Sequence, residues 1–403
     1  MRAMQYLGAT VILSGIALCA LGATPAVDAQ NNVQNGQAGF VVSHFAYALS
    51  KDAGETGACP DGMTSGYRNA GDVFVSKPEL QQQEGELEDT YNRRVFGQAV
   101  GDPSIKNLCQ NPELGKPDPA FRTVTGKDVP AEGIDLDGQD SHIKGKAAPG
   151  SGAHDDFRGM HGERGIDNQF FRVVGCSKSF QSTGQSNTFE IEMYTGSWGI
   201  LLTLKGVNDL HNAKDVEVGI YANADPIQLS PTREALPNAT YAADQDARFR
   251  ATAHGRIVNG VLTTDPVDVR FHWIVNGIHL ERPLRDARLH VTFTPDGGFE
   301  GILGGYTPVD DMYDLQYGFR NGKDAKGDPA PLKLRAHSSI GQARVLEHTC
   351  NGAYFALKQL ADGHCDAKTG VCTSISTQYR IKAIPAFVVD TATQSTNASM
   401  DKQ

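Results

Sequence analysis

Residues 256–294 read RIVNGVLTTDPVDVRFHWIVNGIHLERPLRDARLHVTFT and contain the strongest structural signals of the chain. Two Asn-Gly pairs, Asn259-Gly260 and Asn276-Gly277, each follow an apolar run. Because Asn-Gly readily adopts the positive φ angles of a two-residue turn, each pair predicts a β-hairpin. The segments Val267–Trp273 and Arg288–Thr294 alternate apolar and polar side chains, which is the period of a half-buried strand.

The same alternation extends over residues 187–308. Further strands are predicted at Thr188–Tyr194, Gly199–Leu204, Asp215–Tyr221 and Phe299–Tyr306. The side chains expected to face the core are Val216, Val218, Leu289, Val291 and Phe293. The sequence lacks alternating β–α units, which argues against a doubly wound or TIM-barrel fold. We therefore predict a mainly β protein: an antiparallel β-sandwich or jelly-roll-like core with an irregular N-terminal region and a few short helices.

The predicted core divides the chain into four parts. Residues 1–29 are expected to be a signal peptide, and residues 30–186 an irregular, acidic, glycine-rich region with disulfides. Residues 187–308 would form the β-sandwich core. Residues 309–403 would form a mixed α/β region packed on that core.

Helices are expected outside the core. Gly39–Leu49 is apolar and compatible with a helix, and both Val309–Tyr317 and Asn351–Ala361 have helical spacing. Gly363 stands where a C-terminal glycine cap would follow the last of these helices. Ser376–Ile384 returns to alternation and predicts a final strand.

The N-terminus has the features of a signal peptide. Arg2 supplies a positive charge, Leu7–Leu21 is an apolar run, and Val27-Asp28-Ala29 fits a cleavage site that would leave Gln30 as the first mature residue. A transmembrane anchor is the alternative, although the run is shorter than the ~20 residues that a span needs. Lipidation of Cys19 is a further alternative, although the residue before it is not small. We expect a secreted or periplasmic protein with no integral membrane span.

Six cysteines remain after cleavage: Cys59, Cys109, Cys176, Cys350, Cys365 and Cys372. An even number of cysteines in an exported chain favours disulfides. We predict one specific pair, Cys365 with Cys372, because the short turn between them suits a hairpin. Sequence leaves the other pairings open. No two cysteines are spaced as CxxC, which argues against a redox motif, haem attachment and a zinc–thiolate site.

An acidic, glycine-rich stretch at residues 131–170 is the best candidate for a site. The phrase Gly133-Ile-Asp-Leu-Asp-Gly-Gln-Asp140 places carboxylates at near-alternating positions, as calcium loops do. Close carboxylates repel one another unless they are splayed into water or given a cation. We predict that one divalent cation, with calcium expected, is bound by Asp135, Asp137, Asp140 and Asp167.

The calcium reading has alternatives. The match to an EF-hand is incomplete, because the twelfth position from Asp135 is Lys146 rather than glutamate. A solvated acidic loop would have the same composition. A transition-metal site is a third reading, since the stretch also contains His142, His154 and His161, although no HExxH motif is present.

Signatures of catalysis are sparse. Ser141-His-Ile-Lys144 matches S-x-x-K without the companion motifs of a β-lactamase. No P-loop or dinucleotide motif occurs, so no nucleotide, flavin or haem cofactor is expected. Two carboxylate pairs share predicted strand faces, as in many glycoside hydrolases: Glu190 with Glu192, and Asp215 with Glu217. A solvent-facing strand has the same pattern. Trp198 and Trp273 either stack on a sugar or fill the core.

Composition narrows the function. The net charge of −10 argues against nucleic-acid binding, which needs a basic face. We expect an exported binding or structural protein of a bacterial-type cell envelope, stabilised by calcium, whose partner is a protein or a saccharide. The alternative is a secreted hydrolase that acts on a carbohydrate or an ester through acidic residues. A hydrolase of the glycosidase type needs two carboxyls roughly 5–10 Å apart across a cleft, whereas a binding protein needs none.

Pairing of all six mature cysteines is directly testable. Titration of the denatured, unreduced protein with a thiol reagent should detect close to no free thiol, because export exposes cysteines to oxidants. Two or more reactive thiols per chain would contradict this expectation.

Overall fold

The computed structural model describes residues 33–49, 56–64, 81–101, 109–125, 129–141, 155–182, 184, 189–195, 198–275, 278–319, 333–334 and 349–390. The predicted signal peptide, residues 1–29, lies outside the described residues. Among the described residues, no helix combines the length and the apolar character that a membrane span requires.

Strands dominate the described residues. The strands are β1 (Gln37–Tyr47), β2 (Ile200–Lys205), β3 (Ala213–Ala222), β4 (Ala239–Ala242), β5 (Arg250–Val258), β6 (Val261–Thr264), β7 (Val267–Val275), β8 (Ile278–Phe293), β9 (Phe299–Pro308), β10 (Gly318–Phe319), β11 (Lys333–Leu334), β12 (Gly363–Cys365) and β13 (Cys372–Val389). The helices are α1 (Glu88–Gly101), α2 (Gln169–Val174), α3 (Glu190–Tyr194), α4 (Val309–Tyr317) and α5 (Cys350–Gln359).

Eight of these strands form a closed ring of hydrogen-bonded neighbours. The order is β1-β2-β3-β5-β6-β8-β9-β13, every pair is antiparallel, and β13 pairs back to β1. β7 and β12 extend the ring as hairpin partners of β8 and β13, and β4 runs parallel to the end of β13. The mainly β class is confirmed. The sandwich or jelly-roll form stays a prediction with which this ring of strands is compatible.

Residues that pair directly across strands project to the same face of the sheet. One row of pairs runs through Tyr47, Tyr379, Leu303 and Leu289, and all four side chains are buried. Arg380, which follows Tyr379 on β13, is exposed. The row therefore faces the inside of the ring, and the alternate residues face outward.

A β-bulge interrupts β8. Arg285 pairs with Tyr306 and Arg288 pairs with Gly304, so three steps along β8 match two steps along β9. Tyr306 and Gly304 share the outer face of β9, and their partners on β8 therefore share it too. The extra residue reverses which positions of β8 point inward.

The buried core agrees with the predicted pattern. Val216, Val218, Leu289 and Val291 are buried. Phe293 is half-buried, and its aromatic side chain packs against those of Phe40 and Phe299. The hairpin predicted at Asn259-Gly260 is confirmed, because β5 and β6 pair across it. Asn276 and Gly277 lie outside the described residues, although β7 and β8 pair on either side of them.

Two predicted elements have the wrong secondary structure. Gly39–Leu49 is not helical but lies mostly in β1, which is buried on both faces and bulged between Val42 and His44, so its residues do not alternate. Thr188–Tyr194 was predicted as a strand, whereas α3 occupies its end. Phe189 and Met193 are buried four residues apart, as on one helix face, while Ile191 is 78% exposed.

The C-terminal elements follow the predictions with one exception. The helices expected at Val309–Tyr317 and Asn351–Ala361 are confirmed as α4 and α5, and Ser376–Ile384 lies within β13. Gly363 does not cap α5 but begins β12. A Cβ atom at this position would lie 2.3 Å from a ring carbon of Tyr306, so the glycine permits a close approach of the two strands.

Three disulfides pair six cysteines: Cys59–Cys176, Cys109–Cys350 and Cys365–Cys372. The predicted pair is confirmed. Cys109–Cys350 joins the irregular region to α5 over a sequence separation of 241 residues, whereas Cys365–Cys372 closes a separation of 7.

The two disulfides should therefore differ in their effect on stability. In the chain-entropy account, the paired Cys109→Ser and Cys350→Ser substitutions should lower the free energy of unfolding by about 3 kcal/mol more than the paired Cys365→Ser and Cys372→Ser substitutions, because they release a much longer loop. Urea unfolding measures both. Equal losses would contradict a dominant effect of loop length.

Candidate metal centre and adjoining cleft

The acidic stretch is fixed to the outer face of the ring. Gln378 of β13 donates from Nε2 to the carbonyl oxygens of Ile134, at 2.9 Å, and Asp167, at 2.7 Å. Arg288 of β8 donates from Nη1 to the carbonyl oxygen of Leu136. These bonds hold both segments of the stretch, residues 131–141 and 155–167, against the same strands.

Three of the four predicted ligands come together. Asp135, Asp137 and Asp167 each offer one carboxylate oxygen, and these oxygens lie within 4.8 Å of one another. Asp167 is buried, and its Oδ2 accepts hydrogen bonds from the backbone N–H of Leu136, at 2.6 Å, and of Asp137, at 3.3 Å. Asp135 Oδ1 accepts from the N–H of Gly138 at 2.6 Å. The loop thus folds back over the buried Asp167.

Glycines permit this tight backbone. Gly133 and Gly138 have φ angles of +154° and +78°, which residues other than glycine rarely adopt. A Cβ atom at Gly133 would also lie 2.8 Å from Cγ2 of Ile166, so the two segments could not approach so closely with a larger residue.

The other predicted ligands are placed differently. Asp140 stands outside the group, and its Oδ2 lies 2.6 Å from Nε of Arg164 in an ion pair. His161 lines a neighbouring cleft. His142 and His154 lie outside the described residues, so the transition-metal reading stays a prediction.

The S-x-x-K pattern is only half described. Ser141 exchanges two hydrogen bonds with Asp156: its N–H donates to the carboxylate, and its Oγ accepts from the N–H of Asp156, both at 2.7 Å. Lys144 lies outside the described residues.

The site makes its carboxyls hard to ionise. Burial, reinforced by the charge of Asp137, raises the pKa of Asp167 to about 9. Burial also raises the pKa of Asp135. The buried Asp362, whose Oδ1 accepts from the N–H of Ser376 at 2.7 Å, has its pKa raised by burial to about 7. A bound divalent cation would reverse this cost for the triad, because it favours the ionised form.

A cleft of about 940 Å³ adjoins the triad and shares Asp135 with it. Its floor is the outer face of β6, β8, β9 and β13, and its wall is the acidic stretch. The charged side chains that line it are of both signs: Arg164, Arg288, Arg380, Lys382, Glu132, Asp135, Glu163 and Glu300. Two pairs of them are ion pairs, Arg380 with Glu132 at 2.8 Å and Lys382 with Glu300 at 3.0 Å. The cleft suits a polar ligand.

The carboxylate pairs of the hydrolase hypothesis are not among the residues that line this cleft. Glu190 belongs to α3, where it bonds to Nδ1 of His44. Glu217 forms an ion pair with Lys205 at 2.7 Å, and the side chain of Asp215 is 83% exposed. Asp215 and Glu217 agree with the solvent-facing alternative, whereas Glu190 and Glu192 lie on a helix and do not share a strand face as predicted.

Both tryptophans fill the core. Trp198 and Trp273 are 3% and 5% exposed. The core reading is therefore confirmed, and neither ring is presented to a ligand at the surface.

Gln378, Arg288 and Asp362 contribute to the site without a recognisable signal in the sequence. The first two stand at ordinary outward positions of strands, so their sequence surroundings do not reveal that the acidic stretch covers them. Asp362 precedes a hairpin, where an exposed aspartate is common. No local signal distinguishes it from Asp366.

The raised pKa of Asp362 predicts a pH-dependent stability. Between the unfolded value of 3.8 and the folded value of about 7, the folded protein keeps a proton that the unfolded chain has lost, so stability falls as pH rises through this window. With chelator present, Asp362→Asn should lose less stability than the native protein between pH 4 and 8, by about 1.4 kcal/mol per pH unit where the difference is steepest.

Urea unfolding at several pH values measures this difference. Asp366→Asn is the matched control: Asp366 is on the same hairpin, and hydrogen bonds from Thr369 lower its pKa, so it is ionised in both states across the window. Parallel pH profiles for native protein and Asp362→Asn would contradict the assignment.

No family model matches the chain, and no curated protein or solved structure matches it either. Function is therefore inferred from the geometry of the site and not from a relative.

Proposed function

We propose that this is an exported binding protein of the cell envelope whose acidic triad holds one calcium ion. The observation that carries the proposal is the convergence of Asp135, Asp137 and Asp167 within 4.8 Å, one of them buried. Calcium binds six to eight oxygens in flexible geometry, and carboxylates can supply one or two each. Water or backbone carbonyls would complete the shell.

The ion would have a structural role. The triad joins two segments of the irregular region. One segment contributes Asp135 and Asp137, and the other contributes Asp167. Without a cation, three ionised carboxylates could not approach as closely as the hydrogen bonds to Gln378 and Arg288 require, and the raised pKa of Asp167 reflects this cost. A bound cation would allow Asp167 to ionise, attract all three carboxylates and hold the wall of the cleft in place.

Export is supported by the disulfides. Three disulfides in one chain are typical of proteins that fold in an oxidising compartment, namely the periplasm or the extracellular space. The localisation belongs to the proposal, together with the predicted signal peptide.

The cleft would be the site of the partner, a saccharide or a protein. Its lining offers basic side chains as hydrogen-bond donors and acidic side chains as acceptors, and both suit hydroxyl groups or a polar protein surface. The hydrolase alternative is less favoured, because two carboxylates of this cleft are already paired with basic side chains. Glu132 pairs with Arg380, and Glu300 pairs with Lys382.

Calcium should stabilise the folded protein. Because the ion would bind the folded state only, excess calcium over chelator should raise the melting temperature by several degrees, by mass action at about 100 times its dissociation constant. Asp137→Asn should lose most of this rise. In chelator the same variant should be at least as stable as the native protein, since it removes a charge that opposes ionisation of Asp167.

Asp140→Asn is the control, because Asp140 lies in the same loop but pairs with Arg164 outside the triad. It should keep the full response to calcium. A native protein that melts at the same temperature in calcium and in chelator would refute the ion site. A calcium response that survives Asp137→Asn would refute the assigned ligands.

A further inference from the structure

Arg288 differs from the other arginine and lysine residues that line the cleft. Those residues, Arg164, Arg380 and Lys382, each form an ion pair with a carboxylate. Arg288 forms no ion pair with any residue that the structure describes. It therefore brings to the cleft a positive charge that no carboxylate neutralises by direct contact.

One nitrogen of the Arg288 guanidinium group is already used. Nη1 donates to the carbonyl oxygen of Leu136, which fixes the side chain against the wall of the cleft. Nε and Nη2 have no partner in the described part of the chain, and neither is a buried atom. Nε–H and one N–H of Nη2 are parallel, and together they form a fork that matches the two oxygens of a carboxylate.

The cleft has room for a ligand at this fork. Its volume of about 940 Å³ lies at the upper end of the range of small-molecule sites. The hydroxyl groups of Thr263 and Thr292 belong to its lining. Among the described residues that line it, none is a phenylalanine, tyrosine or tryptophan, so a neutral sugar would lack a ring on which to stack. Recognition by charge and hydrogen bonds is favoured instead.

We propose that the cleft binds a saccharide that carries a carboxylate group, namely a uronate, and that the Nε–Nη2 fork of Arg288 holds this group. The inference rests on the proposed function, because it names the ligand of the same cleft. The fork selects the carboxylate, since a planar anion accepts both parallel N–H groups. The hydroxyl groups of the sugar would bond to the charged and hydroxyl side chains around it.

An acidic protein segment is the competing ligand with the same anionic group. Four carboxyl side chains also line the cleft: Glu132, Asp135, Glu163 and Glu300. A segment with several adjacent carboxylates would be repelled by them. A uronate brings one carboxylate per ring, and its hydroxyl groups can donate to the same carboxyl oxygens. The mixed charge of the cleft therefore favours the saccharide.

Trigalacturonate and its methyl ester are matched probes, because they share every ring and ring hydroxyl group and differ in charge. Isothermal titration calorimetry of the full chain, in excess calcium and at constant ionic strength, should show saturable binding of trigalacturonate. The acid should bind about tenfold or more tightly than the ester, which is the size expected for charge-assisted hydrogen bonds.

Substitutions of Arg288 locate the effect. Arg288→Lys should weaken the binding of trigalacturonate about tenfold and leave that of the ester nearly unchanged, because an ammonium group has no fork. It can still donate to Leu136, so its melting temperature should keep the response to calcium. Arg288→Met should lose the preference for the acid. Arg285→Met is the matched control, since Arg285 lies on the outer face of the same strand but does not line the cleft.

Three results would overturn the inference. The first is equal affinity of the native protein for trigalacturonate and its ester. The second is a preference for the acid that both Arg288→Lys and Arg288→Met retain. The third is tighter binding of a triglutamate peptide than of trigalacturonate, which would assign the cleft to acidic protein segments.

The calcium proposal fails or stands separately. A native protein whose melting temperature responds to calcium but that does not bind trigalacturonate would overturn the inference and keep the ion site. Preferential binding of trigalacturonate by a protein without a calcium response would support the inference and refute the ion site.

Discussion

Pairing of the first described strand with the last closes the structure. β1 bonds to β2 on one side and to β13 on the other, so residues 40–47 pair with residues 379–385, more than 300 positions away in the sequence. Closure removes the free edges that an open sheet of this length would expose, and it creates an inside where Phe45 stacks on Tyr379. It also requires contacts between distant parts of the sequence, which makes folding slow and leaves the ring incomplete until the C-terminal strand is available.

β13 separates two chemically different environments. On its outer face Gln378 holds the acidic stretch, and on its inner face the adjacent Tyr379 accepts a hydrogen bond from Arg282. The carboxyl groups of the acidic stretch lie on one side of this strand, and the buried guanidinium group of Arg282 lies on the other. Since neighbouring residues of a strand share a backbone, a shift of β13 that improved one environment would disturb the other.

Local signals in the sequence were enough for elements whose period is undisturbed. The hairpin at Asn259-Gly260 and the helices near Val309 and Asn351 follow from turn chemistry and spacing. Gly39–Leu49 could not be read in this way, because burial on both faces and a bulge hide the period of two. Proximity in the chain located the Asp135 and Asp137 part of the triad, but the partners Gln378 and Arg288 come from strands that only the tertiary fold brings near. Arg282 is visible in the sequence as a charged residue at a position where the alternation set by Leu280 and Leu284 predicts an apolar one.

The bulge in β8 has a consequence for how this protein tolerates change. Substituting a residue near Arg285 alters one side chain, whereas deleting one residue there would realign the strand with β9 and exchange inside for outside over its whole first half. Leu284 would then turn to the outer face, and Arg282 would leave the aromatic rings of Phe189 and Trp273 that now lie against it. Length at this point is thus under tighter constraint than composition: family members that drift freely in sequence should still preserve the residue count between β7 and β9.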